Sequence, residues 1–448
     1  MKWMIFQPSD DFAKRRPATR YRYQGISTML SRLACVCVVF TSFFEHAVIA
    51  GPLTLEVSYS SGSYTQVMVE SARTFEASHP DIKIRYRAPI LTTYDELLQS
   101  TLRSAAIGDL PDISIEGNET ITTLAARSVP VALDEFIARE TSWGQQGYSP
   151  AIQDVGRITG ETYALAYATS VPIIYVNVDL LKKAGIADAG ALKTWDDVIG
   201  AAAKVQKLGG GVIGGFFGYQ STGNWSFQAL ITSQGGRFLT GDGTDIAFDS
   251  PEGLRALQIL KAFGDTGTVD MTPAQMVQAF ASGTIGVLAA ASAGIEQIER
   301  QAGGRFEMKT IAWPIESENG RIPAGGRAVM IYSKDPKKQR AAWEYVKFLI
   351  GPVGQTIVTK GVGSLPVNSI AVTDPGLLAP YYRDHPNQRT ATESIPRLTK
   401  WFSYPGENAV KASEFVRDQL RRVLIEHQNP EQVLRDLTTG VRTLIGRG

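Results

Sequence analysis

The stretch LTLEVSYSSGSYTQVMVESARTFEASHPDIKIRYRAP, residues 53–89, changes its hydrophobic period twice. LTLEVSYS alternates apolar and polar residues, as a half-buried strand does. From Tyr64 to Ser78, Val67, Val69, Ala72 and Phe75 recur at roughly helical spacing, and the pattern stops before His79-Pro80. DIKIRYRAP then alternates again through Ile82, Ile84 and Tyr86. Working outward, YDELLQSTLRSAAIGDL places Tyr94, Leu97, Leu98, Leu102 and Ala105 on one helical face, with Gly108 as the stop, and PDISIE (111–116) is a short strand. Strands alternating with helices require parallel pairing through right-handed crossovers, so the expected fold class is α/β.

The same reading extends to the C-terminus. ETYALAYATS and VPIIYVNVDLL are extended, and KTWDDVIGAAAKVQKL and PEGLRALQILKAFGD are helical. PAQMVQAFASG is a further helix leading into the strand TIGVLAAAS. Near the end Val416, Leu420, Val423 and Leu424 share a helical face. Asn429 caps a last helix with Pro430 at its first position and Val433, Leu434, Leu437, Val441 and Leu444 facing inward. No repeat or low-complexity linker interrupts the chain. About 398 residues from Gly51 onward exceed what one hydrophobic core supports, so two lobes joined by chain crossing back and forth are expected.

Residues 1–50 read as an export region. Arg32 precedes the apolar run Leu33–Phe44, followed by AVIAG with Val48 and Ala50 as the small residues before a cleavage point. A run of 12 is too short for a bilayer, which needs about 20 residues. Both cysteines, Cys35 and Cys37, lie in that run as apolar filler, without the two-residue spacer of a redox pair. Met29 would give a signal of ordinary length, and a mature chain from Gly51 would contain no cysteine.

That chain carries 38 basic and 41 acidic residues with no basic cluster, which argues against nucleic acid or an anionic membrane as partner. Only His79, His385 and His427 remain, far apart, so a His/Cys metal site is not expected, and no cofactor is either. The formal GxGxxG from Gly209 to Gly214 follows a helix, where a dinucleotide loop would follow a strand, and reads as a stop and turn. GxSxG, HExxH and GxxxxGK[ST] are absent. The acidic pairs Asp134-Glu135, Asp196-Asp197 and Glu316/Glu318 mostly sit at helix starts, where negative charge suits the dipole. Trp225, in QSTGNWSFQ, follows a turn in a polar setting and reads as a platform rather than core.

The ordered run FEASHPDIKI, YDELLQSTLRSAAIGDLPDI, AYATSVPIIYVNVDLLKKAGI, KTWDDV, SQGGRFL, GTIGVLAAASAGIEQI, AGGRAVMIYSKDPKKQRAAWEYVKFLIGPVGQ and GSLPV resembles the family 1 extracellular solute-binding proteins of bacterial ABC importers. That resemblance implies a periplasmic binding protein-like fold, with two lobes, hinge strands and a solute cleft. It implies lobe 1 at 51–167 and 284–330 and lobe 2 at 168–283 and 331–448, with crossings near Ala166–Ser170, Gly283 and Ile331–Ser333. The partners implied are a small solute and inner-membrane ABC permease subunits, with the chain a periplasmic monomer and no enzyme.

Within the family the chain is similar to the glycerol-3-phosphate binders, which imply ligand contacts at Tyr94, Asn118 or Glu119, Thr169, Ser170, Trp225, Ser292 and the glycine pair Gly325-Gly326. A second stacking tryptophan of those binders becomes Thr222. Ser364 stands where they carry tyrosine, and Ser413 where they carry the arginine suited to phosphate; Arg327 and Lys411 are the cations that could substitute. Trp401 and Tyr404 could add surface for a pyranose ring. The expected ligand is therefore an uncharged sugar or sugar-like polyol. A glycerol-3-phosphate or glycerophosphodiester binder is the alternative within the class, and a secreted carbohydrate-active enzyme the alternative outside it.

Overall fold

Nine strands carry the architecture: β1 Leu53–Tyr59, β2 Ile82–Tyr86, β3 Ile113–Gly117, β4 Leu165–Ser170, β5 Pro172–Asn177, β6 Ile213–Phe217, β7 Ile285–Ala291, β8 Met308–Ala312 and β9 Gly325–Ile331. They come from a computed structural model that describes residues 51–60, 64–87, 94–406 and 408–446; the export region with Cys35, Cys37 and Met29 lies outside the described residues. The strands form two sheets, ordered β2-β1-β3-β9-β4 and β8-β5-β7-β6. In the first, β1 runs parallel to β2 and β3, while β9 is antiparallel to β3 and β4. In the second, β6 and β7 are parallel, and β5 is antiparallel to β7 and β8.

The opening stretch folds as its periods require. Helix Thr65–Ser78 buries Val67, Met68, Ala72 and Phe75, while Val69 faces solvent, so the inward stripe takes Met68 in its place. Helix Tyr94–Ile107 ends at Gly108, whose φ of +73° supplies the left-handed stop. Thr194 and Asp197 form a reciprocal capping box on helix Trp195–Gln206. Gly209, Gly210 and Gly211 then turn with positive φ into β6. All six residues of β5 are buried, and each fully buried aliphatic side chain there contributes roughly 1.5–3 kcal/mol.

The sheets divide the chain differently from the expected boundaries. β7, expected in lobe 1, pairs with β5 from Pro172↔Ala291 to Val176↔Val287 and with β6 on its other side. The chain therefore does not cross at Gly283; it returns to the first sheet between Ala312 and Gly325. Nor does it cross at Ile331–Ser333, because helices Pro336–Ile350 and Pro352–Val362 both pack on β4 of the first sheet. It reaches the second sheet again by helix Pro386–Thr390, where Asn387 Oδ1 accepts from Thr310 N at 3.0 Å. Only the first crossing lies where expected, with the single residue Val171 separating β4 from β5. Helices Ala409–Leu424 and Pro430–Leu444 pack with Pro251–Gly264, away from the first sheet.

Candidate functional site

Both sheets turn the same kind of edge toward Val171. In the first, parallel β1 and β3 end at Tyr59 and Gly117, and antiparallel β9 starts there, with Arg327 opposite Gly117 and Gly325 opposite Ser170. In the second, parallel β6 and β7 end at Phe217 and Ala291, with Pro172 opposite Ala291. The carboxyl ends of parallel strands are where open α/β sheets hold ligands, because backbone groups and helix starts are left unpaired there.

Gly325, Ser170 and Trp225 close on one another at this edge. A Cβ placed on Gly325 would lie 2.8 Å from Ser170 Oγ and 2.9 Å from Trp225 Cζ2, so only glycine lets the indole and hydroxyl approach this strand. Gly326 is fixed for a different reason: its φ is +97°, and a Cβ would meet the Ala168 carbonyl oxygen at 2.1 Å. Asn118, buried at the end of β3, donates from Nδ2 to the Ala324 and Gly325 carbonyls at 2.8 and 3.3 Å, while its Oδ1 is buried without a donor among the described residues. Tyr94 starts its helix over Gly117, and burial pushes its hydroxyl up to about 12, which keeps it neutral and able to donate.

Trp225 is placed by a turn and then anchored. Gly223 and Asn224 are both left-handed, at φ +58° and +57°. Asn224 holds that conformation by donating to the Ser413 carbonyl and accepting from the Tyr404 hydroxyl, each at 3.0 Å. The indole N–H of Trp225 donates to the Pro323 carbonyl at 2.8 Å, and the Trp401 ring lies 6.0 Å away. Trp225 is 5% exposed, so it is wall and anchor together rather than the open platform its polar surroundings suggested.

Comparisons with known proteins bear on the family and the fold. Residues 70–382 match the family described as bacterial extracellular solute-binding protein. The chain belongs to that family. It is 23% identical over 382 residues to the sn-glycerol-3-phosphate-binding periplasmic protein UgpB of Escherichia coli K12, covering 81% of this chain and 85% of that one. The cyclic alpha-maltosyl-1,6-maltose binding protein of Arthrobacter globiformis superposes with a TM-score of 0.75 at 21% identity, over 89% of this chain and all of that one. UgpB of Mycobacterium tuberculosis, solved with glycerophosphocholine, gives 0.71 at 20% identity, over 89% of this chain and 99% of that one. The fold is thus the two-lobed α/β fold of solute-binding components of bacterial ABC importers.

In this solute-binding protein the residues expected at the site differ in what they do. Tyr94, Asn118, Ser170, Trp225 and Gly326 converge on the edge around Gly325. Ser292 secures the crossing: its Oγ accepts from Val171 N at 3.1 Å and its own N–H donates to the Val171 carbonyl at 2.8 Å. Thr169 pairs through its carbonyl with Leu365 N, and its hydroxyl is buried without a partner among the described residues, as is that of Ser364. The Glu119 carbonyl accepts from Ser403 Oγ at 2.5 Å. That contact joins the first lobe to segment 398–404, which Gln228 ties to the second lobe by accepting from Phe402 N and donating to the Phe402 carbonyl.

One feature escaped the sequence reading, and another was named there without its burial. A cavity of about 190 Å³ lies against Trp225 on the second lobe, with Met271, Met276, Pro172, Ala291 and Trp313 in its wall. Those residues come from five separate segments, and no pattern links them. Arg327 is the other, buried at the start of β9; an arginine heading the apolar run AVMI was the available signal. Among the described residues no helix is long and apolar enough to cross a membrane, and no group of His, Cys, Asp and Glu could hold a metal.

Proposed function

We propose that the protein is a periplasmic, monomeric binding component that captures a sugar or sugar-like polyol between its two sheet edges and delivers it to inner-membrane ABC permease subunits. The observation that carries this reading is the meeting of Trp225, Ser170 and Gly325. The indole offers an apolar face for the C–H side of a ring, and Ser170, Asn118, Glu119 and the neutral Tyr94 offer directional partners for hydroxyls. The lobes we assign are 51–170 with 325–362, and 172–312 with 386–446, moving about Val171 and the two later crossings. Binding alone, without turnover, is expected, so a bound sugar should be recovered unchanged.

The second reading, a glycerol-3-phosphate or glycerophosphodiester binder, is favoured by Arg327. Position 413, whose carbonyl holds the turn before Trp225, carries serine rather than a cation. Thermal-shift screening of the exported chain against sugars, polyols and phosphate esters tests both readings, because a solute that binds only the folded state raises the melting temperature. A shift with a neutral sugar or polyol supports the proposal; a shift confined to phosphate esters overturns it in favour of the second reading, and no shift with any member overturns both.

A further inference from the structure

The apolar cavity on the second lobe lies at the carboxyl ends of parallel β6 and β7, with Pro172 and Ala291, opposed in the sheet register, in its wall. Its volume is about 190 Å³. The rings of Trp225, Trp313 and Phe216 line it, and the thioethers of Met271 and Met276 close it from helix Pro273–Ala281 and the residues before that helix. Three hydroxyls also reach the wall, and each has its proton committed. That of Tyr219 donates to Asp270 Oδ1 at 2.9 Å, and that of Ser226 donates to the Gly218 carbonyl at 2.6 Å. Ser221 Oγ accepts from Ser226 N at 2.9 Å, which leaves its own proton for Ser226 Oγ at 2.7 Å. Both indole N–H groups are committed as well, that of Trp225 to the Pro323 carbonyl and that of Trp313 to Ser233 Oγ at 3.3 Å.

A cavity whose donors are already committed has little to offer water, which needs several polar partners to be held in place. It offers a sugar hydroxyl no more, because burying a hydroxyl without a partner is costly. A hydrocarbon group carries no such cost. An apolar cavity of about 150 Å³ holds benzene, so this one has room for a single carbon ring of that size. Thioethers beside aromatic walls suit an aryl group in particular, since polarizable sulfur makes favourable contacts with ring edges and the unbranched side chain adapts to what it meets. Trp225 joins this cavity to the cleft edge. Its indole lines the cavity, while Cζ2 of the same ring approaches the strand at Gly325.

We infer that this cavity is an apolar subsite, taking an aryl group of benzene size carried by the solute, while the hydroxylated part of the solute lies along Gly325 and Ser170. The solute is then an uncharged aryl glycoside or aryl-substituted polyol, and Trp225 is the wall shared by its two halves. This inference rests on the cleft edge being the solute site. It gives the apolar half of the ligand to the second lobe and the hydroxylated half to the first.

The test is calorimetric titration of the exported chain with matched pairs: methyl and phenyl β-glucoside, methyl and phenyl β-galactoside, glycerol and its phenyl ether. Benzene alone probes the cavity itself. In at least one pair the phenyl member should bind at least about 10-fold more tightly than its partner, because it removes a ring's worth of apolar surface from water. Benzene should shift the methyl NMR signals of Met271 and Met276 and leave those of Met68 and Met330, in the first lobe, in place. Met276→Trp fills the cavity and should remove both the phenyl advantage and the benzene shift at Met271. Met271→Trp is a second filler, on the segment before the helix, should the first variant fold poorly. Phenyl members binding no more tightly than their partners overturns the inference and leaves the polyol reading standing. A phenyl advantage that survives both fillers overturns it too. If no member of any pair binds, benzene decides: shifts at Met271 and Met276 that the fillers abolish uphold the apolar subsite and contradict the polyol reading, and the absence of any shift refutes the subsite.

Discussion

Trp225 does two jobs that substitution separates. Trp225→Phe keeps an aromatic wall and removes the N–H donated to Pro323, a loss of about 1 kcal/mol. Trp225→Ala opens a cavity beside Gly325 and Trp401 and should cost about 3–5 kcal/mol of stability besides weakening binding. Denaturant unfolding and titration of both variants check this: Trp225→Ala unfolding like the parent while losing affinity would restore the open-platform reading. The adjacent glycines separate folding from binding. Gly326→Ala must adopt φ +97° with its Cβ against the Ala168 carbonyl, so little folded protein should be exported. Gly325→Ala needs no unusual φ; it should fold and bind solute more weakly, because its Cβ displaces Ser170 Oγ and the indole. Equal export of the two variants would show that position 326 tolerates a side chain.

At the scale of elements, the second lobe is pinned beside the cleft by Asp270. Its carboxylate accepts from Arg421 Nε at 2.7 Å and from the Tyr219 hydroxyl at 2.9 Å, joining helix Ala409–Leu424 to the wall of the apolar cavity. Burial pushes this carboxyl up, but the Arg421 and Tyr219 hydrogen bonds outweigh it and hold it below the usual carboxylate range. A lowered pKa in the folded state means stability that is present above the unfolded value, about 3.9, and lost as pH falls through the folded one. Asp270→Asn should therefore unfold more easily than the parent at pH 7, and the two should converge once the pH has fallen below the folded-state value. A gap that persists in acid would mean that packing, not charge, is responsible. The pair is partly exposed, so the gap at pH 7 should be modest.

Elements were the most legible layer of the sequence, and their partners the least. The periods of 53–117 gave helices Thr65–Ser78 and Tyr94–Ile107 and the strands between them, because one face of each meets solvent. IGVLAAA was recognisable as a strand, but its first five residues are buried. A strand buried on both faces shows no alternation, so nothing in it says which sheet it joins, and β7 was assigned to the wrong one. The candidate site shows the same limit. Tyr94, Asn118 and Ser170 were reached through family resemblance and Trp225 first through its polar setting, whereas the bond of Arg327 to Ser60, 267 positions away, leaves no pattern in the sequence.

For the whole molecule, three crossings join the two sheets among the described residues, and the Ser403–Glu119 contact is a further link between the lobes we assign. Ser403→Ala removes that bridge and should favour an open form. Scattering without solute should then report a radius of gyration no smaller than the parent's, with the decrease on saturation retained. A smaller radius in the variant would show that Ser403 does not hold the lobes together. The central claim is that one solute binds at the edge formed by Ser170, Gly325 and Trp225. Titration calorimetry of the parent and of Gly325→Ala, with the polyol that raises the melting temperature most, tests it directly. The expected result is one solute per chain, with affinity at least 10-fold weaker in a Gly325→Ala protein whose circular dichroism is unchanged. Undiminished affinity in that variant would contradict the claim and move the binding site away from this edge.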